Sequence, residues 1–573
     1  MMLDPETWQV HKIVVVGPGI VGMPMATMLA HAKIRIGTDQ PAKVVVIQRN
    51  SPTSGWKVDS INAGKSVIGG IEPDLDKIVA ESVAQGLLRA SHDYQEARDA
   101  DVILVCVQTD KKGFGPDYGP MFEALNGVAE ALKEKPKDKI PLIVFESTLA
   151  PSSMATLIKD HFEKHGLTEG KDILLGNSPN RVMPGRLVER VAGSDKIVAG
   201  LNPVTPELIY KLYSNIVTDG ALHRANSLTA EVTKTLENAY RDVRIAYAAE
   251  IVRYCDEQDI DFYPVRREVN TRLAQVDCAC EDPNAVPSGG LLVPTIGVGG
   301  HCLPKDGILL WWRKLETGLD SHASLILESR KINDESPSET IRLAERSLGN
   351  VSGKTVALLG AAYRFNSEDT RNSPTLNLAR QLISKGCKVT IHDPYVKPTD
   401  QNLLKFGLER YFTQDLGQAV AQAEVLFFCT AHKLYLEKRD KIFAQANGLR
   451  GILDGCNLYS RDDVAGKGYR YAGIGRGTKR PPAGFVDFVY QGFRAVECGV
   501  ANEVQALAEF LNEHYAMDEF NRIKFEDVQR IAGTCVTGCS IVDPGPVDAV
   551  PSYEGFVPRL VKCAHDAWQK EKK

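Results

Sequence analysis

The stretch that most restricts what this chain can fold into is Gly17-Pro18-Gly19-Ile20-Val21-Gly22. It follows the short apolar run Lys12 to Val16 and precedes a helical pattern marked by Met25, Met28 and Leu29, after which a second strand is expected at Val44 to Ile47. In this order of strand, G-x-G-x-x-G, helix and strand, each glycine has a task. The first permits a tight turn, the second lets a pyrophosphate approach the backbone, and the third lets helix and strand pack closely. The pyrophosphate would sit at the positive end of the helix. Gly17, Gly19, Ile20, Val21 and Gly22 are therefore candidate contacts to a dinucleotide. A carboxylate normally closes the second strand and holds the adenosine ribose, but Gln48-Arg49-Asn50 stands there. Gln48 or Asn50 can still bond a ribose, and Arg49 either pairs with the extra phosphate of NADP or points to solvent. NAD and NADP both stay open.

Further strands are expected at Val102 to Val107, Leu142 to Phe145 and Ile173 to Leu175, with helical stretches between them, so the first part is doubly wound α/β. Ligands in such sheets lie beyond the carboxyl ends of the strands. Those ends carry Thr109 and Thr148, each a cofactor contact or a helix cap, and the loop Asn177 to Gly185 with Asn180 and Arg181.

The totals exclude several classes. At 573 residues, three or four domains are expected. A net charge of -5 without basic runs argues against nucleic-acid or anionic-membrane partners. No apolar stretch reaches bilayer length, and Met1 to Val10 lacks the apolar core of a secretory signal. The 12 cysteines are dispersed, which reads as reduced thiols in a cytoplasmic protein. Cys278-x-Cys280 and Cys535-x-x-x-Cys539 lack matching ligand pairs, so no metal is expected.

A second concentration of chemistry is Gly297-Val298-Gly299-Gly300-His301-Cys302-Leu303-Pro304-Lys305-Asp306. The glycines allow close approach of backbone to a ligand, and positive neighbours favour a thiolate. Cys302 is the candidate nucleophile. Thr229 to Cys255 reads as one long helix without Gly or Pro, its apolar positions at three- and four-residue steps. Glu231, Lys234, Asn238, Arg241 and Asp242 fall on it at helical spacing, with Lys234 and Asn238 one turn apart. A solvated charged face and a lysine aimed into a cleft fit this pattern equally.

The glycine turn, Ala230-Glu231-Val232-Thr233-Lys234-Thr235-Leu236-Glu237-Asn238, Gly299-Gly300-His301-Cys302 and Asp369-Thr370-Arg371-Asn372-Ser373-Pro374 occur in one order over roughly residues 10 to 476. Together they resemble the UDP-glucose/GDP-mannose dehydrogenase family. Ile71-Glu72-Pro73-Asp74-Leu75, Arg241-Asp242-Val243 and the histidine before the cysteine are most similar to its UDP-N-acetylmannosamine and UDP-N-acetylglucosamine 6-dehydrogenases. The resemblance implies a four-electron oxidation of a sugar C6 alcohol to a carboxylate, through a thiohemiacetal and a thioester on Cys302. It implies Lys234 and Asn238 as stabilisers of the oxyanion, Asp306 and Thr148 as holders of the water, and Lys305 near the cofactor. Gly299, Asn180, Arg181, Arg364 and Arg371 are the implied further contacts to a UDP-sugar, and a homodimer is the implied assembly. The implied architecture is two Rossmann-like doubly wound domains joined by a central helical domain. The domains run 1–223 for NAD(P), 224–336 for the central helices, 337–476 for the UDP-sugar and 477–573 as an extension.

Two departures stand out. Asn180 occupies the place of a glutamate that acts as acid/base in the family, and an amide takes no proton at neutral pH. Cys456 stands where an arginine is frequent. A two-electron hydroxy-acid dehydrogenase and a nucleotide-sugar-binding regulator without turnover are the rival readings. In the extension, Lys479 to Pro482 reads as a linker, and helices are expected at Ala501 to Tyr515, Glu526 to Ile531 and Tyr553 to Trp568.

Overall fold

The computed structural model describes residues 3–69, 72–182, 184–273, 290–318, 324–464 and 468–571. Ile71, Met183 and the Cys278 to Pro283 insertion lie outside the described residues. The chain forms two compact units. The first comprises Met1–Glu237, Leu309–Leu319 and Val504–Ile541, and the second Asn238–Ile308, Asp320–Glu503 and Val542–Lys573.

In the first unit the strands are β1 (Lys12–Val16), β2 (Lys43–Ile47), β3 (Leu88–Ser91), β4 (Val102–Val105), the small hairpin β5 (Asp110–Lys112) and β6 (Gly115–Asp117), β7 (Leu142–Phe145), β8 (Leu174–Asn177), β9 (Lys196–Gly200) and β10 (Leu222–Asn226). All but the hairpin form one sheet in the order β10-β9-β8-β7-β4-β1-β2-β3. It is parallel from β3 through β8, and β9 pairs antiparallel to β8. Ile13 to Val16, Val102 to Val105 and Leu142 to Phe145 are buried at every position. Continuous apolar runs of this kind mark strands covered on both faces. The strand order reverses between β1 and β4, which puts the ligand crevice at the carboxyl ends of those two strands.

The second unit repeats the plan with β11 (Thr355–Leu359), β12 (Lys388–His392), β13 (Phe412–Thr413), β14 (Val425–Phe428), β15 (Gly451–Asp454) and β16 (Arg470–Gly473). Their order is β13-β12-β11-β14-β15-β16, all parallel. The expected class, α/β with two doubly wound sheets and a central helical region, is the class observed.

The long helix runs Ser227–Gln258. The choice left open for its polar residues falls against solvent, because Glu231, Lys234 and Asp242 are all buried. Glu231 accepts the backbone N–H groups of Ser152 and Met154 at 2.7 and 2.8 Å. Asp242 is bonded by Arg330 at 2.7 Å and Asn333 at 2.8 Å.

The extension departs from its expected outline. Its first helix is Phe485–Tyr515, beginning sixteen residues before the expected start at Ala501. Gly492 and Gly499 weaken the helical signal in sequence, and the packing explains both. A Cβ on Gly492 would lie 2.3 Å from the Tyr247 hydroxyl, and one on Gly499 2.5 Å from the Ala564 Cβ. The Lys479 to Pro482 linker is tethered, since Lys479 bridges to Ile260 and donates its N–H to the Asp259 carbonyl at 2.8 Å. The last helix is Arg559–Glu571 rather than Tyr553 to Trp568. Tyr553 and Phe556 form a bridge instead, and Glu250 accepts the N–H groups of Arg559 and Leu560 at the new start. Among the described residues no helix is long and apolar enough to cross a membrane.

Candidate active site

The glycine turn in the first unit has the shape its spacing demands. Gly17 adopts φ +92°, and its N–H donates to the Ile47 carbonyl at 2.9 Å. A Cβ on Gly22 would lie 2.1 Å from the Gly17 carbonyl oxygen and 2.9 Å from the Cys106 Cβ, so helix Gly22–His31 sits close to the strand only because that atom is missing. A Cβ on Gly19 would meet nothing within 4 Å. The backbone is therefore bare where a pyrophosphate would approach, with Ile20 exposed and Val21 half-buried beside it. These residues fit a dinucleotide.

At the end of the second strand, Arg49 pairs with Glu123 at 2.9 Å in an exposed ion pair, and Gln48 donates to the Ser54 hydroxyl at 3.0 Å. Thr109 is buried and donates its hydroxyl to the Thr148 carbonyl at 2.8 Å, which ties the ends of β4 and β7 together. Thr148 itself is half-buried.

Next to Thr148, Glu146 is the centre of a buried cluster. The Lys196 ammonium donates to it at 2.6 Å, the Asn180 amide at 3.1 Å, and the Tyr213 hydroxyl as well. Burial pushes the Lys196 amine down, against the Glu146 charge that raises it. Asn180 also accepts the Val182 N–H at 2.9 Å. Its amide is thus fixed at both ends, and this is the position where the resemblance expects a proton carrier.

Arg181, an implied substrate contact, is buried and forms an ion pair with Glu237. It also donates to the Asp195 carbonyl, the Thr534 hydroxyl and the Ile531 carbonyl. Its planar fork has five N–H donors, and the loop uses those of the two terminal nitrogens to clamp itself to protein groups. Lys234 lies one turn before Glu237, its ammonium 3.7 Å from the carboxylate.

In the second unit, Cys302 is exposed and stands immediately before helix Leu303–Glu316. Its carbonyl accepts the N–H groups of Lys305 and Asp306 at 3.1 and 2.9 Å, so the sulfur sits at the positive end of the helix dipole. Asp306 is fully buried. The Lys305 ammonium holds one of its oxygens at 2.6 Å and the Asn238 amide the other at 2.6 Å. Asn238 has two N–H donors, and only one is needed for that bond.

The glycines before Cys302 have an additional cause in the second sheet. A Cβ on Gly299 would come 2.4 Å from the Tyr363 Cβ, and one on Gly300 3.0 Å from the Tyr363 ring. The Gly300 N–H donates to the Arg371 carbonyl at 2.8 Å, and the Asn372 amide donates to the Gly300 carbonyl at 2.9 Å. The motif Asp369 to Pro374 thus grips the cysteine loop by its backbone. Arg371 itself forks around Asp369, at 2.6 to 3.1 Å, and half-buried Arg364 lies over the Phe365 ring. Cys456 donates its N–H to Asp454 at 3.2 Å.

Sequence reading passed over Glu146, Glu237, Tyr363 and Asn372 as functional groups, although each lies inside or beside a motif it had marked. Periodicity ranks helix faces, and it carries no information about which loop carbonyl an amide will meet. Thr534 gave no signal of its own, standing beside the cysteine pair Cys535 and Cys539 that was weighed only for a metal.

The domains match those of a known family. Residues 11–217 match the NAD binding domain of the UDP-glucose/GDP-mannose dehydrogenase family, residues 228–335 its central domain and residues 357–461 its UDP binding domain. The chain is 30% identical over 471 residues to the UDP-N-acetyl-D-mannosamine dehydrogenase of Pyrococcus horikoshii, covering 81% of this chain and 99% of that protein. It is 28% identical to the NDP-N-acetyl-D-galactosaminuronic acid dehydrogenase of Ralstonia nicotianae, covering 79% and 98%. A crystal structure of NDP-N-acetyl-D-galactosaminuronic acid dehydrogenase from Methanosarcina mazei is similar with a TM-score of 0.67 at 29% identity, covering 82% of this chain and 96% of that one.

Proposed function

The chain belongs to the UDP-glucose/GDP-mannose dehydrogenase family, and from that premise we propose that it oxidises C6 of a UDP-N-acetylhexosamine from alcohol to carboxylate. UDP-N-acetylmannosamine is the first choice of substrate, then UDP-N-acetylglucosamine or UDP-glucose. The observation that carries the reading is Cys302, exposed at the head of its helix, four residues before a buried aspartate whose two oxygens are fixed by Lys305 and Asn238.

The glycine turn Gly17 to Gly22 would hold NAD, which when bound would supply the hydride acceptor for both oxidations. Everything else falls to the chain. The Cys302 thiolate adds to the C6 aldehyde and holds it as a thiohemiacetal. Loss of the second hydride leaves a thioester, which water cleaves to the carboxylate and the free thiol. Lys234 and the second N–H of Asn238 stabilise the oxyanion of both adducts. Asp306 orients Asn238 and, with Thr148, holds the water. Asn180 cannot serve as the base, so the water held by Asp306 must suffice for hydrolysis. Arg364 and Arg371 suit the diphosphate, because guanidinium matches phosphate oxygens, and Gly299 is the implied backbone contact to the sugar.

The test is the mole ratio of NADH formed to UDP-sugar consumed. Two is expected, and one would remove the thioester half of the reaction. Cys302→Ala is expected to abolish carboxylate formation. The reaction is placed in the cytoplasm, which keeps thiols reduced, as a cysteine nucleophile requires. A homodimer is proposed, to be checked by light scattering on the full chain; a single-chain mass would refute it.

A further inference from the structure

Resting on the reading of Lys234 as the oxyanion stabiliser, we propose that the C-terminal extension positions this lysine through Arg181 and Glu237. The segment responsible, helix Phe525–Ala532 and the turn after it, lies beyond residue 461, where the family match ends. It acts at two points in the first unit.

The first is polar. Arg181 donates to the Thr534 hydroxyl at 2.9 Å and to the Ile531 carbonyl at 3.0 Å. The Thr534 hydroxyl in turn donates to that same carbonyl at 2.7 Å, which fixes its own orientation. Held in this way, the Arg181 fork pairs with one oxygen of Glu237, with side-chain exposures of 4% and 1%. Burial this complete keeps water from competing for either charge. The other Glu237 oxygen has no hydrogen-bond donor among the described residues, and it faces the Lys234 ammonium at 3.7 Å. A lysine has a flexible four-carbon stem, and a carboxylate that cannot move gives its ammonium one place to rest.

The second point is apolar. Ile531 packs against Ala230 together with Ile197 and Ala199. Ala230 lies four residues before Lys234, on the same face of the long helix. The extension therefore braces both the helix that carries the lysine and the carboxylate that aims it.

Full-length Thr534→Val, Thr534→Ser, Arg181→Lys and Lys234→Met decide the matter. The readouts are kcat, KM, the Kd of UDP-sugar by calorimetry, and Tm. Thr534→Val is expected to lower kcat about three- to tenfold, the rate equivalent of one hydrogen bond. KM and Kd should hold, and Thr534→Ser should restore kcat. Arg181→Lys should show the same split with a larger drop. An unchanged kcat in Thr534→Val with only a lower Tm would overturn the proposal and leave a structural tether. A rise of KM and Kd in Arg181→Lys would overturn it in favour of a direct substrate contact. Should Arg181→Lys fail to fold, Thr534→Val with its serine rescue decides alone. If Lys234→Met keeps full turnover, the reading of Lys234 falls first, whatever Thr534 shows.

Discussion

The two sheets offer the same turn twice and use it differently. After β1, Gly17 takes φ +92° and donates to the last carbonyl of β2; after β11, Gly360 takes φ +109° and donates to the His392 carbonyl, the last of β12, at 2.8 Å. Neither glycine has room for a Cβ, which would sit 3.0 Å from the Cys106 oxygen in one case and 2.4 Å from the Thr430 Cβ in the other. Beyond this first residue the turns part. The first continues directly into a helix and leaves the backbone at Gly19 bare. In the second, the fully buried Asp393 carboxylate accepts the N–H groups of Ala361 and Ala362 at 2.8 and 2.9 Å and bonds the His432 ring at 3.0 Å. His432 accepts the Asn366 N–H on its Nδ1, which leaves Nε2 to carry the proton toward Asp393. An internal carboxylate stands where a bound phosphate would satisfy the backbone N–H groups. One topology can thus serve a dinucleotide at one turn and a fixed scaffold at the other, according to what meets those groups.

Three experiments would break or sharpen this contrast. The largest effect is expected from Asp393→Ala, which leaves two backbone N–H groups and a histidine buried without their partner. Removing one member of a buried pair costs about 3–5 kcal/mol, so chemical denaturation should show a loss of that size. A loss below about 1 kcal/mol, the level of an ordinary surface change, would end the claim that Asp393 replaces a ligand. Gly19→Ala should have a smaller and purely functional effect. Its Cβ strikes no protein atom, so Tm should hold while NAD affinity falls about tenfold, or roughly 1.4 kcal/mol. An unchanged Kd would mean that the bare backbone is not the binding surface.

The smallest effect concerns pH. Burial pushes the Asp393 carboxyl up, but the His432 ring and the N–H groups of Ala362 and Tyr395 more than reverse this and leave it below the ordinary range. Its contribution is present at neutral pH and is lost only as pH falls below about 4. Asp242, Glu250 and Asp256 go the other way, raised by burial to about 6, 7 and 7. Folded, they hold protons that the unfolded chain releases near pH 4, so their share of stability falls as pH climbs from about 4 to 7. Wild-type Tm should be a few degrees higher at pH 5 than at pH 8. In Asp393→Ala the downward slope over that window should persist, while the steep loss below pH 4 should soften.

Much of the first unit was legible because its signals are local. Gly17, Gly19 and Gly22 act within six residues of each other, and β-branched runs such as Lys12 to Val16 and Leu142 to Phe145 reappear as strands with the expected bounds. The extension was least legible. Its glycines look like helix breakers until Tyr247 and Ala564 are seen to require them.

By itself the sequence determined the two doubly wound sheets, the long helix with Lys234 and Asn238 a turn apart, and the cysteine that follows a glycine turn. Each of these follows from a period, a spacing or a backbone requirement confined to neighbouring residues. Tertiary structure alone decided that Gly299 and Gly300 make room for Tyr363, that Arg181 pairs with Glu237, and that Thr534 holds it there. Those partners lie tens to hundreds of residues apart, and a hydrogen bond depends on ångströms in space that no interval along the chain records.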